Sequence, residues 1–209
     1  MAGTPIISAI LLAAGLSQRL GRNKLLLSPG GVPIVRRAAM ALLDSRAAEV
    51  IVVTGHEAEK VRAALDELDV RFVHNPDYET GQGMSLLTGL AEAAREAEGY
   101  LFALGDQPFM TTRLIDRLIG AFGSSQAHVA APFYKGRRGN PILISRELRE
   151  DLLALGGDEG ARSIVSRVQA ESPDRFAAVE AASEALFWDI DTEEDYEKVL
   201  SGLRAAPPT

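Results

Sequence analysis

The chain contains no cysteine and only three histidines among its 209 residues. The absence of cysteine excludes disulfides, thiolate metal sites and cysteine nucleophiles. His56, His74 and His128 are scattered, at spacings unlike those of a metal site. We therefore interpret all three as structural or surface residues.

Positive charge is also in short supply. The chain has 22 basic and 29 acidic residues, for a net charge of -7. A protein that coats nucleic acid needs a basic surplus, so we expect no nucleic-acid partner. The N-terminus has no basic region and its apolar run is too short for a signal peptide or a membrane span. We therefore expect no membrane association and a cytoplasmic location.

The length suits one α/β domain with a sizeable core. No internal repeat and no linker-like stretch divides the sequence. We expect a single domain over residues 1–204, followed by a disordered tail at 205–209.

The most informative stretch is an apolar run of strand length near the N-terminus and the loop that follows it. Such a run predicts a buried strand of a parallel sheet. The loop carries two glycines, a hydroxyl and two basic residues: Gly15, Gly21, Ser17, Arg19 and Lys24. Small residues let a ligand approach the backbone, and the basic side chains suit phosphates. The loop is neither a Walker A loop nor a dinucleotide fingerprint, and an ordinary βα loop is the alternative.

A carboxylate follows another apolar segment. Residues 99–105 predict a strand that leads directly into Asp106. The carboxyl ends of strands are where open α/β sheets place ligands, which favours a functional Asp106. The alternative is that Asp106 caps the helix predicted over residues 111–122.

Asp189 and Asp191 alternate around Ile190. On an extended segment both carboxylates therefore face the same side. The alternative is that this stretch only caps the next helix, with Thr192 and Asp195 forming a capping box.

Three further segments combine glycine or a helix start with groups that suit anions. Gly81–Gly83 leads into a helix predicted from Ser85, either as an anion site or with Ser85 as a simple N-cap. Residues 134–139 form a basic turn in a hairpin-like excursion, which suits an anionic ligand or a solvated turn. Arg162 lies in the first turn of a helix, where a cation is unfavourable unless an anion compensates.

Taken in order, these segments resemble the MobA-like molybdenum-cofactor nucleotidyltransferases. The pattern L-A-A-G-x-S-x-R-x-G-x-x-K is matched by residues 12–24, S-L-x-x-G by 85–89, and G-D-Q-P by 105–108. G-x-x-G-[NH]-P is matched by 136–141, G-D-x-G-A-R by 157–162, and D-I-[DN]-T-x-E-D-Y by 189–196. The resemblance extends from Ile7 to about Tyr196.

The resemblance implies a role for each matched position. It implies nucleotide binding by Leu12, Ala13, Ala14, Gly15, Ser17, Gly21, Lys24, Ser85 and Gly89. It implies acceptor binding by Arg138, Gly139, Asn140, Pro141 and Arg162. Lys24, Arg19 and Asp106 would be catalytic. Mg²⁺ would be held by Asp106 and by Asp191, which we favour over the nearby Asp189.

The resemblance also implies a Rossmann-like, three-layer α/β/α fold with a mostly parallel mixed sheet and one antiparallel strand. In this family L-A-A-G is typical of enzymes that use CTP and L-A-G-G of those that use GTP. The expected reaction moves CMP from CTP to the phosphate of Mo-molybdopterin, with transient contact with a molybdoenzyme. The alternatives are a guanylyltransferase, a transferase with another phosphate acceptor, and a non-catalytic molybdopterin-binding maturation factor.

Overall fold

The computed structural model describes residues 4–155 and 160–205. Residues 157–159 of the G-D-x-G-A-R match lie outside the described residues, as do residues 206–209 of the expected tail. None of the described helices combines the length and apolarity that crossing a membrane requires.

Eight strands form one sheet: β1 Ile7–Ala13, β2 Glu49–Thr54, β3 Arg71–His74, β4 Gly99–Leu104, β5 Val129–Tyr134, β6 Arg137–Arg138, β7 Ile142–Ser145 and β8 Phe176–Glu180. The spatial order is β3-β2-β1-β4-β7-β5-β6, and β8 pairs with β5. β7 runs antiparallel to both β4 and β5, which confirms the predicted mixed, mostly parallel sheet. The two-residue β6 is antiparallel to β5 as well.

The described residues form seven α-helices: α1 Ile34–Leu43, α2 Ala58–Ala64, α3 Gln82–Glu92, α4 Thr112–Ser125, α5 Arg149–Leu153, α6 Arg162–Glu171 and α7 Glu193–Ala205. The buried residues of α1, α2 and α4 pack on one face of the sheet. Those of α3, α5 and α6 pack on the other face. Strand β1 is buried between these layers because it contributes Ile7, Ala9 and Leu11 to one core and Ile10 to the other. The three-layer α/β/α prediction is confirmed.

Helix α3 begins earlier than the sequence predicted. Gly81, with φ of 126°, precedes the first helical residue Gln82. Ser85 therefore lies inside the helix, where it is buried and its Oγ accepts a hydrogen bond from Asn75 Nδ2 at 3.0 Å. The N-cap interpretation of Ser85 was wrong, because glycine at position 81 allows a backbone conformation that starts the helix three residues sooner.

The two capping alternatives have different outcomes. Helix α4 is capped by Thr111, whose Oγ1 accepts from Leu114 N, so Asp106 is not its cap. Before α7, Thr192 and Asp195 form the reciprocal bonds of a capping box. Asp189 and Asp191 are not used as the cap and remain available for other contacts.

Candidate active site

The site lies where the carboxyl ends of β1 and β4 meet. These neighbouring parallel strands pair Leu12 with Leu104, and Gly105 N donates to Leu12 O at 3.0 Å. A Cβ at Gly105 would lie 3.1 Å from that carbonyl oxygen, so the small residue permits the close approach. Asp106 is thereby held beside the loop that follows β1, as the α/β strand-end rule predicts.

Lys24 joins two carboxylates that are distant in sequence. Its Nζ lies 2.6 Å from Asp106 Oδ2 and 2.6 Å from Asp191 Oδ1. The side chains of Lys24 and Asp106 are only 14% and 15% exposed, whereas that of Asp191 is 42% exposed. Arg19 is far more exposed and pairs with the other Asp191 oxygen at 3.1 Å. The structure thus brings together Arg19, Lys24, Asp106 and Asp191.

The ionisation of this cluster follows from its partial burial. Burial alone would lower the pKa of Lys24, but Asp106 and Asp191 outweigh it and hold that pKa above its ordinary value. Burial raises the pKa of Asp106, while Lys24 opposes the rise and the nearby charge of Asp189 adds to it. Asp189 is exposed and Ile190 is fully buried, so both aspartates of this segment face away from the core.

The cluster has the donor atoms that a magnesium-sized cation prefers. Asp106 Oδ1 is buried and has no hydrogen-bond partner among the described residues. Carboxylate oxygens are hard ligands that suit Mg²⁺, so this oxygen could coordinate such an ion. The described residues include no group of three or more histidine, cysteine or carboxylate side chains placed to hold a metal. Mg²⁺ commonly uses one or two carboxylates together with substrate phosphates, so Asp106 and Asp191 fit that kind of site.

The loop after β1 has its own internal structure. Ser17 has a left-handed backbone with φ of 53°, and its Oγ accepts a hydrogen bond from Lys24 N at 3.1 Å. Gly21 has φ of 66°, a conformation that favours glycine. Both residues line a separate depression rather than the pocket that contains Lys24, and they shape the loop that presents Lys24.

The start of α7 is tied to the same loop. Arg22 forms two hydrogen bonds to the Glu193 carboxylate, at 2.7 and 2.8 Å, and its guanidinium lies 5.4 Å from the centre of the Tyr196 ring. Together with the bonds of Arg19 and Lys24 to Asp191, these contacts fix the basic loop against the C-terminal segment.

A cleft of about 360 Å³, the small cleft, opens beside this cluster. Six of the residues predicted to act in the site line it: Leu12, Ala14, Gly15, Lys24, Ser85 and Asp106. Four residues that were not predicted from the sequence also line it: Gln18, Tyr78, Glu79 and Gln82. Gln82 was discoverable, because it lies inside the glycine-rich entry to α3.

Two of the residues predicted to bind the nucleotide, Ala13 and Gly89, are not part of the lining of the small cleft. Ala13 is 1% exposed and faces the hydrophobic core. Gly89 faces the sheet, where an added Cβ would lie 2.4 Å from Ile10 Cγ2 and 2.9 Å from Val53 Cγ2. Close packing of helix on strand explains the glycine at this position.

A second cleft, the large cleft of about 980 Å³, adjoins the small one across Leu12, Leu104 and Gln82. Four predicted acceptor residues line it: Arg138, Gly139, Asn140 and Arg162. Pro141 is buried beside them and is not part of the lining.

Two guanidinium groups give the large cleft its charge. Burial lowers the pKa of Arg138, and the like charge of Arg162 lowers it further. An anion between these groups would relieve their repulsion. Residues missed by the sequence analysis add an apolar wall and polar groups from α6: Leu86, Phe102, Phe133, Ile142, Ser163, Ser166 and Gln169. Apolar walls with a few directed polar groups are typical of small-molecule sites.

The two halves of the site are in contact through Phe187. A Cβ at Gly139 would lie 2.3 Å from this ring, so the glycine lets the hairpin lie flat on it. Phe187 is buried and directly precedes the Trp188–Asp191 segment that carries the carboxylates. The wall of the large cleft and the carboxylate segment therefore share one packed residue.

Comparison with known proteins identifies the family of the chain. The family model for the MobA-like NTP transferase domain matches residues 9–173. The nicotine blue oxidoreductase of Paenarthrobacter nicotinovorans is 33% identical over 94% of this chain and 97% of its own length. The purine catabolism protein PucB of Bacillus subtilis is 30% identical over 96% and 98%. The molybdenum cofactor cytidylyltransferase of Escherichia coli is 26% identical over 91% and 93%.

Solved structures show the same fold. A nucleotidyl transferase from Methanothermobacter (Mth528) has a TM-score of 0.82 at 29% identity and covers 96% of this chain and 99% of its own. Rv0371C from Mycobacterium tuberculosis, solved as a complex with manganese, has a TM-score of 0.78 at 26% identity, with 94% and 98% covered.

Proposed function

Because the chain belongs to the MobA-like NTP transferase family, we propose that it transfers CMP from CTP to the phosphate of Mo-molybdopterin, with Mg²⁺ as cofactor. The observation that carries the proposal is the convergence of Lys24, Asp106 and Asp191 through 2.6 Å contacts beside the small cleft, which Lys24 and Asp106 line. The products are molybdopterin cytosine dinucleotide and pyrophosphate. The likeness to the cytidylyltransferase of Escherichia coli supports this choice of substrates.

The small cleft is our proposed site for the cytosine nucleotide. Its volume of about 360 Å³ and its position beside Lys24 suit a base and ribose that lead to the triphosphate. Ala14 lines this cleft, and its methyl group would leave less room for a purine than a glycine at the same position. Gly15 has nothing within 4 Å of the position of an added Cβ, so a ligand can approach its backbone closely.

The large cleft is our proposed site for the acceptor. Arg138 and Arg162 would bind its phosphate, which removes the repulsion between the two cations. The apolar wall formed by Phe102 and Phe133 would support a flat ring system, and the polar groups of α6 would bind its edges.

In the reaction, an oxygen of the acceptor phosphate attacks the α-phosphorus of CTP. The bond from the α-phosphorus to the bridging oxygen breaks, and pyrophosphate leaves with that electron pair. Lys24 and Arg19 donate hydrogen bonds to phosphate oxygens on which charge accumulates. A phosphate nucleophile is already ionised, so the chain needs no general base. Mg²⁺, held by Asp106 and Asp191, would supply further charge neutralisation when bound.

A binding panel tests the nucleotide assignment. We expect CTP with Mg²⁺ to raise the melting temperature more than ATP, GTP or UTP does, because only a ligand that binds the native state stabilises it. Since one relative is named an oxidoreductase, NADH and NADPH belong in the panel. Stabilisation by a nicotinamide cofactor and not by CTP would contradict the proposal.

Turnover tests the catalytic assignment. Pyrophosphate release from CTP should require Mo-molybdopterin, which separates a transferase from a non-catalytic maturation factor. We expect Asp106→Asn to abolish release while the protein stays folded. The matched control is Asp116→Asn. Asp116 lies on α4, is partly exposed and pairs with Arg46, so this variant should retain activity. Full activity of Asp106→Asn would exclude Asp106 from the metal site.

A further inference from the structure

We infer that Lys24 serves as an internal cation for Asp106 and Asp191, and that a divalent metal gains full access to these carboxylates only when a triphosphate draws Lys24 away. The metal and the nucleotide would then bind with positive coupling. This inference rests on the proposed function for the metal-binding role of Asp106 and Asp191 and for the identity of the triphosphate.

The geometry of the free protein supports the first half of the inference. Lys24 Nζ makes equally short contacts, 2.6 Å each, with one oxygen of Asp106 and one of Asp191. The ammonium group thus bridges the same two carboxylates that we assign to the metal. Two cations beside one pair of carboxylates repel each other, so Lys24 in this position weakens the attraction for a metal.

The partial burial of the cluster makes this competition strong. Lys24 and Asp106 are each about 15% exposed or less, so solvent screens their interaction poorly. Asp106 cannot easily release Lys24 without replacement, because a buried carboxylate that loses its partner is costly. A metal ion alone would replace the charge at Asp106 but would leave the Lys24 ammonium unpaired nearby.

A triphosphate removes this conflict. Its oxygens offer Lys24 an alternative anionic partner beside the small cleft and supply further ligands to the metal. The described part of the chain has too few carboxylates placed together to complete a metal site alone. The triphosphate therefore supplies oxygen ligands to the metal and an anionic partner to Lys24, and the metal supplies a cation to the carboxylates that Lys24 leaves. This exchange is the basis of a reciprocal coupling between metal and triphosphate.

Two other cations of the loop provide graded comparisons. Of the two carboxylates, Arg19 pairs with Asp191 and not with Asp106, and its side chain is 76% exposed, so its removal should affect metal binding less. Arg22 pairs with Glu193 and contacts neither Asp106 nor Asp191, which makes it the control.

The experiment is a calorimetric titration with Mn²⁺ of the full chain without nucleotide. Lys24→Met should bind Mn²⁺ about tenfold more tightly than the unaltered protein, within the usual range of coupling between sites. Arg22→Met should be unchanged, and Arg19→Met should lie between them. A non-hydrolysable CTP analogue should then increase Mn²⁺ affinity strongly in the unaltered protein and much less in Lys24→Met.

The direction of the change in Mn²⁺ affinity of Lys24→Met decides whether Lys24 competes with the metal. Equal or weaker Mn²⁺ binding by Lys24→Met would overturn the inference, as would failure of every variant to bind Mn²⁺. If Lys24→Met does not fold, Lys24→Gln gives the same test with a neutral side chain that can still donate hydrogen bonds. Failure of the CTP analogue alone, with tighter Mn²⁺ binding by Lys24→Met, would refute the nucleotide assignment and leave the role of Lys24 standing.

Discussion

Replacement of Gly89 by alanine tests the packing of α3 on the sheet. Alanine is favoured over glycine inside a helix by about 1 kcal/mol. Here the added Cβ would lie 2.4 Å from Ile10 Cγ2 and 2.9 Å from Val53 Cγ2, and both side chains are fully buried in central strands. Overpacking of such a core costs about 1–3 kcal/mol. Since one contact is more than 1 Å shorter than a normal carbon–carbon contact, we take the upper end of that range.

The expected net effect is a loss of about 2 kcal/mol in the free energy of unfolding, which lowers the melting temperature of a chain this size by about 4–8 °C. Chemical denaturation and calorimetry measure both quantities. The matched control is Gly120→Ala in α4, whose added Cβ would meet only the end of the flexible Arg46 side chain at 3.2 Å. That variant should be neutral or slightly more stable.

A double variant separates steric conflict from other causes. Ile10→Ala removes the nearer of the two atoms that the new Cβ meets and leaves Val53 Cγ2, so the cost of Gly89→Ala should fall in that background. If Gly89→Ala is as stable as the unaltered protein, or if its cost is the same with Ile10→Ala, the packing explanation for this glycine is refuted.

Two further predictions concern the small cleft and α7. Ala14→Gly should reduce the preference for CTP over GTP in the melting-temperature panel, whereas Ala13→Gly, at a core position, should lower stability and leave the preference unchanged. The hydrogen bond from Thr192 lowers the pKa of Asp195, so its contribution to stability is present above the ordinary value of 3.8 and is lost as pH falls through the lowered pKa. The stability difference between the unaltered protein and Asp195→Asn should therefore be largest near neutral pH and shrink in acid, and a difference that grew in acid would contradict the assignment.

Much of the site was predictable because its parts follow strand ends. The apolar runs of β1 and β4 predict parallel strands, and the carboxyl ends of such strands lie at one edge of the sheet. That placed Asp106 near the loop carrying Lys24. The alternation of Asp189 and Asp191 around Ile190 likewise predicted that both carboxylates would face the same side of their segment.

The features that the sequence did not predict depend on contacts between distant segments, which local sequence patterns do not indicate. The hydrogen bond between Lys24 and Asp191 joins residues 167 positions apart, and the local sequence around either residue does not predict this pairing. The early start of α3 depends on the backbone conformation of Gly81. The capping preference of Ser85 instead predicted a later start. Gly89 fitted a sequence pattern for nucleotide binding. In the structure, the need for glycine at this position comes from the side chains of Ile10 and Val53 on two neighbouring strands. Only the folded sheet brings these side chains next to α3.

The ties between the basic loop and the segment around Glu193 have a consequence for biosynthesis. Arg19, Arg22 and Lys24 leave the ribosome long before Asp191 and Glu193 have been translated, so their short contacts cannot form during most of elongation. A nascent chain would therefore carry this basic loop without its carboxylate partners until the start of α7 has been translated.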